Sequence, residues 1–148
     1  MSSPTLEAVT EAIASTLEAA AGINEVQRGE TISESIQNYP MIQVYWSAEE
    51  TDASNDLQQS TFRGGLRQSD QEFIVDVYCA PRAHIGQDLK VQMTCHQAVA
   101  AILRAQNTKP YFNLAGIQSY HWRAERATIE YSGVQYAGVR VTVSVRTY

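Results

Sequence analysis

Four residues near the middle of the chain, Cys79, His84, Cys95 and His96, are of the types that ligate zinc. Zinc sites draw their ligands from short-range pairs such as C-x2–4-C or H-x3–5-H, and neither spacing occurs here. Cys95 and His96 are adjacent in a helical stretch and point to different sides of it. Nucleophilic catalysis needs a thiol or hydroxyl beside a base, yet no G-x-S-x-G elbow is present and neither cysteine has a catalytic context. His121 stands beside Trp122 in a strand-like run, and the sequence offers it no partner. The carboxylates Glu49 and Glu50 lie in a polar stretch with no apolar surroundings to shift a pKa. Arg63-Gly64-Gly65 is a lone copy, and phosphate-binding glycine loops are absent. The expectation is a protein without catalysis, metal or cofactor, whose two cysteines are reduced and packed as small hydrophobes.

Arginine and aromatic residues on strands are the more distinctive feature. Tyr120, Trp122 and Arg126 alternate along one run, with Arg123 opposite, and Arg140 and Arg146 lie on its expected neighbour. These are the residue types enriched at protein–protein interfaces. Charge is divided along the chain as well. Residues 1–62 hold ten acids and one base, Arg28, whereas residues 63–148 hold six acids and ten bases. Opposed halves can attract each other, within one molecule or between neighbours. Asp52 and Asp56 of the acidic half and Arg63 and Arg67 of the basic half therefore join the candidate interface set. The net charge of −5 argues against a dedicated nucleic-acid binder, which would carry a basic face.

The elements that position these residues follow from periodicity. At the end of the chain Val139, Val141, Val143 and Val145 alternate with Arg140, Thr142, Ser144 and Arg146, which is a two-faced β-strand. Burying the four valines is worth roughly 6–12 kcal/mol, so a core must meet that face. Ser3-Pro4 opens an amphipathic helix with Leu6, Val9, Ile13 and Leu17 on one stripe, about five turns ending at Gly22. Ile23 and Val26 mark a short strand. Pro40 opens another, with Ile42, Val44 and Trp46 alternating against Met41, Gln43 and Tyr45. Residues 48–60 read as an exposed polar loop, followed by a bulge or hairpin tip at Gly64-Gly65. Phe73, Val75, Val77 and Cys79 share a strand face ended by Pro81. A second helix runs from His84 to Gln106, with Leu89, Met93, His96, Val99 or Ala100, and Leu103 on its apolar side. A strand from Gly116 to Tyr131 then turns at Ser132-Gly133 into the last one.

This order predicts an α+β fold: a mostly antiparallel sheet of four to five strands with two amphipathic helices packed on one face. At 148 residues and 44% hydrophobic composition it is one domain. No apolar stretch approaches the roughly 20 residues of a membrane span. The first residues lack the pattern of a signal peptide, so a soluble product of a cytoplasm is expected.

The succession of an N-terminal amphipathic helix, the Pro-led strand "YPMIQVYW", the strand "FIVDVYCAPR", the helix "DLKVQMTCHQAVAAILRA" and the hairpin "RATIEYSGVQYAGVRVTVSVRTY" resembles the tail terminator, or tail completion, proteins of long-tailed bacteriophages. The resemblance runs from about Thr5 to Tyr148 and is one of architecture. It implies a hexameric ring at the head-proximal end of the tail tube that stops tube growth and offers a joining surface to the head connector. Homo-oligomer, tube protein and connector are the partners it implies, in the virion tail, with DNA passing the lumen without specific binding. The polar 48–60 stretch and the strand-borne arginines depart from the pattern. Other readings are a different neck, connector or minor tail protein, or a small dimeric α+β enzyme or ligand-binding domain using the sheet face as a pocket wall.

Overall fold

The computed structural model describes residues 4–29, 39–50, 69–82, 88–131 and 133–147. In chain order the elements are helix α1 (Leu6–Leu17), strands β1 (Glu25–Arg28), β2 (Met41–Glu50) and β3 (Ser69–Pro81), helix α2 (Asp88–Arg104), a 3-10 turn at Tyr111–Asn113, and strands β4 (Ile117–Tyr131) and β5 (Val134–Thr147). The strands form a mixed sheet in the order β1-β2-β3-β5-β4. Among the described residues only β1 runs parallel to its neighbour; β2, β3, β5 and β4 pair antiparallel. The fold is α+β with a mostly antiparallel sheet.

Register explains the core. Val44 pairs with Val75, Val75 with Val141, and Val141 with Ala124. Two residues along, Trp46, Phe73, Val143 and Trp122 form the next row on the same face. Because side chains alternate between faces, these rows stack on one side of the sheet. The larger buried cluster joins these rows, apart from the exposed Trp46, to Val9, Ile13, Ala14 and Leu17 of α1 and to Cys95, Val99 and Leu103 of α2. The four valines of β5 are all buried there. α1 rests on β1 and β2, and α2 on β3 and β5.

Several boundaries differ from expectation for local reasons. α1 is capped by Thr5, whose hydroxyl oxygen accepts from the Ala8 amide at 3.1 Å. It ends at Leu17, about three turns on, because its chain turns away through Ala20 to Gly22, which adopts φ 78°. β2 continues to Glu50, so positions 48–50 are strand rather than loop. A bulge between Trp46 and Ala48 restores their pairing with β3. The expected loop beyond Glu50, the Gly64-Gly65 turn and the first turn of the second helix at His84 lie outside the described residues. On α2 the buried stripe is Gln92, Cys95, Val99, Ala100 and Leu103, whereas Leu89 and Met93 face outward.

Gln92 is the polar pin of this stripe. Its amide donates to the Gly138 and Ala127 carbonyls at 2.9 and 3.1 Å, and its Oε1 accepts from Arg126 Nε at 2.8 Å. A buried amide with all three contacts made carries no desolvation debt. Gly138, whose carbonyl accepts one of these bonds, leaves no room for a side chain of its own: a Cβ there would meet the Val77 carbonyl oxygen at 2.6 Å and Ile129 at 2.8 Å.

Candidate assembly surface

The candidate residues divide between the two sides of the sheet. On β4, Tyr120, Trp122 and Arg126 turn toward α2. The Tyr120 hydroxyl shares its proton between the Leu103 and Gln106 carbonyls, satisfying acceptors left over at the end of the helix. Its ring packs edge-on against Tyr111 and Phe112, with centroids 5.1 and 5.0 Å away. Trp122 lies against His96 and under the Arg104 guanidinium, 5.6 Å from its ring centre. Arg126 is held by Gln92. This side of β4 thus anchors a helix.

Arg140 and Arg146 belong to the other side. Asp76, 2% exposed, receives Arg140 Nε at 2.8 Å and Nη2 at 3.1 Å, a two-point clamp, and the Tyr45 hydroxyl at 2.8 Å. Beside it the Tyr78 hydroxyl donates to Gln43 Oε1 at 3.0 Å, and the Gln43 amide donates to the Gly29 carbonyl at 2.9 Å. Arg140 is held even more firmly protonated than usual, first by Asp76. Burial, and then the Asp76 carboxylate, push the Tyr45 phenol up to about 12, and burial raises that of Tyr78 too. Arg146 makes a half-exposed pair with Asp70, at 2.9 and 3.4 Å. Asp52, Asp56, Arg63 and Arg67 lie outside the described residues.

The five described candidates therefore do not form one patch. Sequence reasoning missed Asp76, Tyr45, Tyr78 and Gln43 as partners. A signal existed: one aspartate inside the apolar run Ile74-Val75-Asp76-Val77-Tyr78 has to be paired if it is buried.

Clefts and a pair of thiols are also present among the described residues. One cleft of about 590 Å³ lies among Glu49, Asp70, Glu72, His121, Ser144 and Arg146, and is mainly polar. Another, about 540 Å³ and mostly apolar, opens between α1 and the end of β2, bordered by Leu6, Glu7, Thr10, Arg28, Tyr45 and Trp46. Cys79 and Cys95 are buried free thiols in mutual contact. The hydrogen bond to Cys95, together with burial, pushes the Cys79 thiol up, and the same hydrogen bond lowers that of Cys95. Among the described residues no three His, Cys, Asp or Glu side chains gather as metal ligands would, and no helix is long and apolar enough to cross a membrane.

No family model matches the sequence, and no curated protein matches it. Among solved structures the fold is similar to the sheath/tube terminator of an extracellular contractile injection system, PVC, in its extended state, determined by cryo-EM. The TM-score is 0.53 at 12% identity. The alignment covers 99% of this chain and 57% of the other, so this chain spans somewhat over half the length of that terminator. The likeness is one of fold, and it takes in every element from α1 to β5.

Proposed function

We propose that this chain is a tail-terminator subunit, a structural protein without catalysis that caps the end of a tail tube. The observation that carries the reading is the likeness of nearly the whole chain to a sheath/tube terminator, in line with the architecture read from the sequence. In this reading both helices cover the valine face of the sheet. Copies assemble head-to-tail into a closed ring, hexameric as in the family it resembles, at the head-proximal end of the tail of a phage or phage-like particle. The ring stops addition of tube protein and offers its far side to a connector. The acidic balance of the chain repels nucleic acid, so DNA passes the lumen without being held.

The test is to add the purified protein to polymerising tail tubes and to follow tube length and end structure by negative-stain microscopy, with native mass spectrometry of the free protein. Rings, alone or seated on tube ends, together with arrested growth are expected. A monomer or dimer that leaves tube length unchanged overturns the reading.

A further inference from the structure

The large apolar side chains that the fold leaves exposed are few: Tyr39, Trp46, Leu89, Met93 and Val134 among the described residues. Three of them fall into a complementary pair of features. Leu89 and Met93, one turn apart on α2, are 44% and 52% exposed and make an apolar knob. Trp46, 47% exposed, forms a wall of the apolar cleft beside Leu6 and Tyr45. A methionine suits an irregular socket of this kind, being long, unbranched and polarizable.

Their placement decides who the partner is. The cleft belongs to α1 and β2, next to the edge strand β1. The knob belongs to α2, and Met93 shares a shallow groove with Ala124 and Arg126 of β4, the opposite edge strand. A knob and socket on opposite edges of one subunit cannot satisfy each other within it. They can do so between copies, and the contact is then heterologous, handing each copy on to the next as a closing ring requires.

Charge points the same way. The socket edge carries Glu7, Glu11, Glu18 and Glu25 against Arg28, which already pairs with Glu11 and Glu18. The knob edge carries Lys90, Arg104, Arg123 and Arg126 against Asp88, Glu125 and Glu130. The two rims are thus opposite in sign, which steers copies into this register and disfavours knob-to-knob or socket-to-socket pairing.

We infer that the Leu89–Met93 knob of one copy seats in the Leu6–Tyr45–Trp46 cleft of the next, with Lys90 facing Glu7 across the rim. The inference rests on the ring reading above and names the surfaces that build it. The test uses two full-length variants, Glu7→Cys and Met93→Cys, both at exposed positions, prepared separately, checked by thermal melting, and mixed with a short bis-maleimide under conditions that give rings. The native thiols are buried, and wild type is the control. Covalent dimers are expected in the mixture and not in either variant alone. Rings that form without cross-linking, or cross-linking within one variant, overturn this contact and leave the terminator reading standing. Absence of any assembly, with or without tail tubes, overturns both. As a second readout, Glu7→Lys should weaken subunit association about tenfold, a loss of the size that charge pairs at interfaces show, and Lys90→Glu in the same chain should recover most of it. Failure of that rescue counts against the facing pair even where cross-links form.

Discussion

Asp76 holds the polar side of the sheet together, and its partners show what a buried charge demands. The carboxylate sits in a strand whose neighbours are valines, and it is kept there by Arg140 and Tyr45. Removing water from one charge is costly unless its acceptor sites are filled, and here both oxygens are. This makes Arg140 a structural residue as well as a candidate contact. The phenol gives a test with a definite sign. Tyr45 ordinarily ionises near 10, and in the folded chain its value is pushed up to about 12. Unfolded chains therefore lose the Tyr45 proton first, and the stability that this neutral phenol contributes is complete below pH 10 and fades as pH rises from about 10 to about 12. Tyr45→Phe should remove a late step from the ultraviolet titration of phenol ionisation and flatten the alkaline loss of stability over that interval. A phenol lost from the ordinary range near 10 instead of from the late step would mean that Tyr45 is not buried beside Asp76 in solution.

At the level of elements, the long periodic runs of β3 and β5 were legible, and the faces that β4 and α2 present were not. Val139 to Val145 in alternation could only be a strand with one buried side, and Phe73 to Cys79 another. The short β1 was visible only as Ile23 and Val26, because four residues are too few for a period and its support comes from parallel pairing with β2. Tyr120 and Trp122 were expected to belong, with the arginines, to a candidate interface. Their side is set by the pairing of Tyr120 with Val145 and Trp122 with Val143, which puts them with the valines, and register across a hairpin cannot be read from one strand alone. The apolar stripe of α2 was misjudged for a related reason. Gln92 is inside, because the sheet supplies two carbonyls to its amide, and Leu89 and Met93 are outside. Gly138 sits where β5 packs closely against Val77 of β3 and Ile129 of β4. A methyl group there would lie 2.6 Å from a backbone oxygen, which cannot swing aside. Gly138→Ala should therefore lower stability by about 1–3 kcal/mol, the usual range for overpacking. The loss should appear as a lower midpoint in urea with little change in slope. A midpoint equal to that of wild type would show that β3 and β5 can separate without cost.

For the whole molecule, the division of charge between the halves of the chain becomes a division in space. The strand order puts the acidic α1–β1 edge and the more basic α2–β4 edge at opposite ends of one sheet. Among the described residues the ion pairs on these two edges stay within each edge, Arg28 with Glu11 and Glu18 on one and Arg123 with Glu125 on the other. In the proposed ring they meet between copies, and an assembly built this way responds to salt in a way that one held by apolar contact alone does not. The Debye length falls from about 10 Å at 0.1 M to about 3 Å at 1 M ionic strength, which screens the rim charges and leaves the Met93–Trp46 contact untouched. Raising sodium chloride from about 0.1 to about 1 M should therefore weaken subunit association several-fold while the thermal midpoint of the monomer barely moves, as sedimentation velocity and calorimetry would record. Association that is flat or strengthened by salt would place the driving force entirely in apolar burial and remove charge as the element that orients the ring. Association lost together with the fold would mean instead that the pairs inside each subunit, Arg28 with Glu11 and Glu18 or Arg140 with Asp76, carry the salt dependence, and the Arg140 clamp is the first of these to examine because only it is buried on one side.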